Sequence, residues 1–243
     1  MEYNSPLSLE KEKKLISLLK MTPDSQVIEV GCGNGKFLLS LMEAYEVSVL
    51  GVDTDSMLIN QARGAADTRF ENRTYRFICE DFQSLNLRSQ SYDLLICNGS
   101  SHAFGAGAHA VSSVAQHANR LLKQGGLLLL GECYWKKAPP QAYLDFLGQD
   151  KGIYSDYKGN IDLVHAQGFN PIYATSSSQH EWDNFEWSHK QITRECLKGD
   201  PTNSQLKKKM LRIETWLDAY LKWGREHLGY GFYLFEKNTL CQK

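Results

Sequence analysis

Hydrophobic and polar positions change their period several times along this 243-residue chain. Over residues 7–20, Leu15, Ile16 and Leu19 share one face at helical spacing, and the pattern stops before Thr22-Pro23-Asp24. Short apolar runs that read as strands follow at 26–30, 47–52, 75–79, 94–97 and 127–132. Helical patterns lie between them, clearest at 36–44, 55–63 and 108–123. The last is closed by Gln124-Gly125-Gly126, which reads as a glycine C-cap. Strands alternating with helices through short connections predict a mostly parallel sheet with helices on both faces.

After Trp135 the rhythm changes. Pro139-Pro140 opens a helical pattern through Leu147, and another ends at Gln167-Gly168-Phe169. A strand-like run over 171–175 is followed by a helical insertion, and 231–236 reads as a closing aromatic strand. The expected organisation is a single domain over 1–243. Its halves are 1–135 and 136–243, the second carrying a helical lid at 181–228. A length of 243 residues fits one α/β domain with additions better than two full domains.

The composition excludes several classes. Lys+Arg of 27 against Asp+Glu of 28 leaves no basic excess, and the run Lys207-Lys208-Lys209 sits in a helical pattern, so no nucleic-acid partner is expected. No apolar run approaches the roughly 20 residues of a membrane span, and the start of the chain has no basic-then-apolar leader pattern. The six cysteines form no C-x-x-C pair and no metal-ligand spacing with histidine. No metal is expected, and cytoplasmic localisation fits free cysteines in apolar runs.

Candidate chemistry begins where the first strand ends. Val27-Ile28-Glu29-Val30 runs into Gly31-Cys32-Gly33-Asn34-Gly35, and a helical pattern starts at Lys36. Glycines at a strand end allow a sharp turn and close approach of a ligand to the backbone, and the helix start adds free N–H groups. A pyrophosphate loop, G-x-G-x-x-G, would need glycine at position 36, where Lys36 stands. The second strand ends in Asp53, 18 residues beyond Gly35, placed to accept ribose hydroxyls. Further on come Glu80-Asp81-Phe82-Gln83-Ser84-Leu85, then Ser91-Tyr92-Asp93-Leu94-Leu95.

These motifs together resemble the class I S-adenosylmethionine (SAM)-dependent methyltransferases. The first resembles their acidic-x-G-x-G-x-G motif, and the third their G-D-A-E-S-L-P-F run with S-F-D-L-V behind it. The resemblance implies a Rossmann-like, seven-stranded, mostly parallel sheet with an antiparallel last strand, helices on both faces and a helical insertion before that strand. It implies Glu29, Gly31, Gly33, Gly35, Asp53, Thr54, Asp81, Phe82 and Asn98 as cofactor-binding residues. Asp81 would accept the adenine amine, Phe82 would offer its backbone N–H, and Thr54 would pack beside adenine. The cofactor would be SAM, leaving as S-adenosyl-L-homocysteine.

Around the acceptor the sequence departs from better-known patterns. The fourth strand exits into Asn98-Gly99-Ser100-Ser101-His102-Ala103, without the N-P-P-Y or D-P-P-Y of enzymes that methylate nucleobase or glutamine amino groups. The segment, with the later Gly131-Glu132-Cys133-Tyr134-Trp135, is similar to bacterial small-molecule methyltransferases. That implies a small-molecule acceptor. His102 is the candidate general base, histidine being suited to proton removal at neutral pH; a helix-capping or backbone-bonding role is the alternative. Glu132 and Tyr134 are candidates to line the acceptor pocket, with a structural hydrogen-bonding role open for Glu132. All five tryptophans lie at or after Trp135, and Trp216, Tyr220 and Trp223 are spaced as a buried helix face. Three other functions stay open: a non-catalytic SAM- or S-adenosylhomocysteine-binding regulator, an RNA methyltransferase, and an NAD-dependent oxidoreductase. Oligomeric state is not legible.

Overall fold

The computed structural model describes residues 4–70, 73–105 and 107–239. Cys241 lies outside the described residues, and the other five cysteines are free thiols. The elements run in the order α1 (Leu9–Leu19), β1 (Gln26–Val30), α2 (Lys36–Tyr45), β2 (Ser48–Asp53), α3 (Ser56–Asp67), β3 (Tyr75–Cys79), β4 (Tyr92–Asn98), α4 (Ala110–Leu121) and β5 (Leu122–Trp135). They continue with α5 (Gln141–Leu147), α6 (Tyr157–His165), β6 (Phe169–Ser176), α7 (Gln179–Gly199), α8 (Ser204–Ala219) and β7 (Leu228–Lys237). A π-type turn at Tyr220–Gly224 carries α8 toward β7.

The strands form one seven-stranded sheet in the order β3-β2-β1-β4-β5-β7-β6. The first five pair in parallel, and β7 runs antiparallel to both of its neighbours. The strand order reverses between β1 and β4, the point at which open α/β sheets leave a crevice beyond the carboxyl ends of the strands.

Alternation along each strand divides the core between two faces, because successive side chains point to opposite sides. Val27, Leu94, Ile96, Phe232 and Leu234 face one layer, which includes residues of α1, α2, α3, α5, α7 and α8. Ile28, Val30, Leu95, Cys97, Tyr233 and Phe235 face the other, with α4 and α6. Burying both faces is why β1 and β4 carry nearly unbroken apolar runs. Helix starts are set by side-chain caps: Ser8 for α1, Asp55 for α3 and a Ser178–Glu181 capping box for α7.

The glycine pair after α4 does not act as the expected helix cap. Leu122 is already extended and pairs with Tyr92, so β5 starts directly after α4. Gly125, at φ +73°, instead takes up a register shift between Tyr92 and Leu94. At its other end β5 extends to Trp135, because β7 pairs with it continuously from Leu127–Glu236 to Trp135–Leu228. The ring of Tyr134 occupies the space beside Gly229, where an added Cβ would stand 2.6 Å from Cε1. The expected buried face of α8 holds only in part: Tyr220 is buried, whereas Trp216 is 42% exposed.

Candidate active site

The loop between β1 and α2 bends back over β2, with the amides of Gly31 and Cys32 donating to the Val52 carbonyl at 2.8 and 3.1 Å. Gly31, Gly33 and Gly35 have φ values of +72°, +54° and +72°, which L side chains adopt only at a cost. Their surroundings differ. A Cβ at Gly31 would collide with Ser100, 2.6 Å from its Oγ, and that hydroxyl donates to the Val30 carbonyl. A Cβ at Gly35 would meet the Phe77 ring at 2.8 Å, so this glycine serves the packing of α2 and α3 on the sheet. Only Gly33 has open space, its nearest neighbour being Leu58 at 3.9 Å.

Asp53, at the end of β2, ties this loop to the next. Its Oδ2 accepts from the Gly33 amide at 2.8 Å and its Oδ1 from the Asp55 amide at 2.9 Å. The cap of α3 is Asp55, which leaves Asp53 directed at the loop. Glu29 projects from β1 and is almost fully buried, and its Oε2 has no hydrogen-bond partner among the described residues. Burial, then the charges of Asp53 and Glu12, push its carboxyl well above the ordinary range.

Asp81 caps a short turn, Phe82–Ser84, by accepting from the Gln83 amide at 3.0 Å. Phe82 is buried with its ring 4.5 Å from that of Phe104 and 5.4 Å from His117. Asn98, the last residue of β4, accepts from the Tyr230 hydroxyl at 2.7 Å and donates to Ser5 Oγ at 3.1 Å. It thereby joins the segment before α1 and the antiparallel strand to the crevice.

Two cavities meet here. A polar cleft of about 800 Å³ is bordered by Glu29, Gly31, Gly33, Asp53, Thr54, Asp81, Phe82 and Asn98. Of the residues expected at a cofactor, Gly35 alone is not on its wall. A second, largely apolar cavity of about 620 Å³ lies toward α7 and α8, with Glu132, Tyr154, Trp182, Glu186, Trp216 and Tyr230 on its wall. The two share Asn4, Ser5, Gly99, His102, His189 and Lys209.

His102 stands at this junction, exposed, with no hydrogen-bond partner among the described residues. Glu132 borders the apolar cavity; its Oε1 accepts from the Cys133 amide at 2.8 Å, and its Oε2 is buried without a partner. Burial raises its carboxyl, partly offset by the nearby Ser101 hydroxyl, which is not within hydrogen-bond geometry of it, and by the Cys133 amide. Tyr134 is not brought to either cavity and packs edge-on against Tyr157 at 5.1 Å. Tyr154, Glu186 and Tyr230 carried no signal in the sequence pattern; Glu186 comes from α7, Tyr230 from the β5–β7 pairing, and Tyr154 from the turn between α5 and α6, where its ring packs edge-on against Trp135. Among the described residues no group of three or more His, Cys, Asp or Glu side chains is placed to hold a metal. No described helix is long and apolar enough to cross a membrane.

Residues 28–130 match the family described as "Methyltransferase domain". "Uncharacterized protein YjhP" of Escherichia coli (strain K12) is 25% identical over 235 residues, covering 95% of this chain and 92% of that protein. The solved SAM-dependent methyltransferase from Geobacter sulfurreducens, in complex with S-adenosyl-L-homocysteine, has a TM-score of 0.85 at 21% identity and covers 98% of this chain and 94% of its own. The corresponding protein from Thiobacillus denitrificans, also in complex with S-adenosyl-L-homocysteine, gives 0.83 at 20% identity over 98% and 94%. The fold of this chain is therefore theirs, including the antiparallel β7 at its expected place.

Proposed function

We propose that this chain, whose residues 28–130 match a methyltransferase domain and whose sheet has the class I fold, is a SAM-dependent methyltransferase that transfers the methyl group to a small-molecule acceptor held in the apolar cavity. The observation that carries this reading is the contact between the two cavities at Gly99 and His102, beyond the carboxyl end of β4.

The polar cleft fits the cofactor on its own chemistry. The unpartnered Oε2 of Glu29 suits the methionine ammonium, and the open side of Gly33 leaves the loop backbone free for close approach. Each oxygen of Asp53 already accepts one backbone N–H and keeps a second acceptor site for ribose hydroxyls. Asp81 and the Phe82 amide would meet adenine, with Thr54 beside it. When bound, SAM supplies an activated methyl group on a sulfonium, which an acceptor atom displaces in line. The chain's own residues hold the partners in that line and exclude water; good alignment alone contributes ~7–11 kcal/mol of barrier reduction.

Where the acceptor must lose a proton, two residues are candidates to take it: His102, which borders both cavities, and Glu132 on the wall of the apolar one. The α7–α8 segment, which overlaps the lid expected at 181–228, would cover the acceptor. A chamber of about 620 Å³ with aromatic walls suits a compact organic molecule. The near-balanced charge of the chain gives no electrostatic footprint for RNA. The test is conversion of isotopically labelled SAM to S-adenosylhomocysteine in the presence of a small-molecule extract. Label recovered in a small molecule supports the reading. Cofactor binding without acceptor-dependent product favours a regulator, and label in RNA favours an RNA methyltransferase.

A further inference from the structure

We infer that the methyl acceptor is an amine, seated between the Glu132 and Glu186 carboxylates within the aromatic walls of the apolar cavity; this rests on the reading that the cavity holds the acceptor. Glu186 projects from α7 and is 5% exposed, and its Oε1 accepts the Trp182 indole N–H at 3.0 Å. Trp216, on the same cavity wall, also favours the ionised carboxylate. Glu132, also 5% exposed, comes from β5 and leaves Oε2 without a partner at the cavity wall. Neither carboxylate is ion-paired among the described residues.

A buried carboxylate oxygen without a donor is costly, and the cost is removed by a ligand that brings one. Burial raises both carboxyls, as expected for groups that no cation of the chain reaches. The cationic side chains on the same cavity are exposed residues of α8, Lys209 and Arg212. His189 is kept toward its neutral form by burial and by Lys209. The same wall includes Tyr154, Trp182, Phe185, Trp216 and Tyr230, aromatic rings of the kind that attract an ammonium group but add nothing comparable for a hydroxyl. β4–β5 pairing sets Gly131 level with Asn98. Glu132, the next residue, is therefore one position beyond the strand end that borders the cofactor cleft.

The chemistry balances without a further reagent. An ammonium acceptor gives one proton to the Glu132 carboxylate and exposes the nitrogen lone pair. That pair forms the new N–C bond while the S–C bonding pair returns to sulfur. The positive charge of the sulfonium passes to the methylated nitrogen, and the proton on Glu132 leaves to solvent with product release.

The experiment uses the full chain and its Glu132→Gln and Glu186→Gln variants. Each is incubated with methyl-¹³C SAM and a small-molecule extract of the source cells. The product is analysed by fragmentation mass spectrometry, and S-adenosylhomocysteine binding is titrated separately. The expected result is label on nitrogen and unchanged S-adenosylhomocysteine affinity in both variants. Turnover should fall about 100-fold in Glu132→Gln, and the acceptor KM should rise about tenfold in Glu186→Gln. Label on oxygen, sulfur or carbon overturns the inference, as do wild-type turnover and KM in both variants. Tight S-adenosylhomocysteine binding with no labelled product overturns it together with the acceptor-cavity reading. Absence of S-adenosylhomocysteine binding would instead strike at the cofactor assignment.

Discussion

Gly31 and Gly33 share a left-handed backbone but not their surroundings, so the same substitution should do different damage at each. Alanine at either position pays the left-handed penalty, about 1–2 kcal/mol. At Gly31 the new Cβ also collides with Ser100. That overpacking costs about 1–3 kcal/mol, and displacing the Ser100 hydroxyl from the Val30 carbonyl costs about 0.5–1.5 kcal/mol. Gly31→Ala should therefore lose roughly 2–4 kcal/mol more stability than Gly33→Ala. In a chain of this size that separates their melting temperatures by about 5–15 °C. Gly33→Ala, with only Leu58 nearby at 3.9 Å, should stay folded yet obstruct the cleft, weakening S-adenosylhomocysteine binding about tenfold or more. Thermal unfolding followed by circular dichroism, with calorimetric titration of S-adenosylhomocysteine, reads both effects. A double-mutant cycle with Ser100→Gly isolates the collision, because removing that Cβ should restore part of the loss. Equal melting temperatures for the two alanine variants, or no coupling between positions 31 and 100, would refute this account of the loop.

Other expectations follow from the same geometry. Asp53→Ala removes the acceptor for the Gly33 and Asp55 amides and should weaken S-adenosylhomocysteine binding by about 10- to 100-fold in calorimetry; unchanged affinity would separate Asp53 from the cofactor. His102→Ala should lower kcat far more than cofactor affinity if His102 takes the proton, and equal turnover would leave that step to Glu132 and return His102 to a structural role. Glu132 has its carboxyl raised by burial in the folded protein, so its ionisation opposes folding. Relative to wild type, Glu132→Gln should be most stabilising above the raised value; the difference should shrink as pH falls and vanish below the ordinary carboxylate range. A melting-temperature difference independent of pH would contradict that. Lys11 donates to Glu181 and to the Ser176 carbonyl, joining α1 to the start of α7, so Lys11→Met should cost about 1–3 kcal/mol in denaturant unfolding.

The parallel half of the fold was legible because its central strands are buried on both faces and each strand writes its burial into a short apolar run. Gln26–Val30 and Tyr75–Cys79 needed no tertiary information. The ends of β5 and β7 did, since Trp135 and Leu228 are in strands only because they pair with each other. Gly125-Gly126 misled for a related reason: the same glycines that end a helix also fit an irregularity in a strand. In the site, the residues proposed for the cofactor could be grouped from the sequence because they follow strand ends at regular spacing. Glu29, Gly33, Asp53, Asp81 and Asn98 all border one cleft. The proposed acceptor side is assembled in part across long separations, as where Tyr230 reaches Asn98, and no local pattern announces such a pair. Trp216 shows the limit of helical spacing, since it marks a face of α8 without saying whether that face meets core or cavity.

The central claim is that the polar cleft holds the cofactor and delivers its methyl group where the two cavities meet. A crystal structure with S-adenosylhomocysteine bound tests this most directly. The expected result places adenine beside Asp81 and Phe82, ribose on Asp53, the amino-acid end near Glu29 and Gly33, and the sulfur toward Gly99 and His102. S-adenosylhomocysteine bound elsewhere, or with its sulfur turned away from the apolar cavity, would contradict the account.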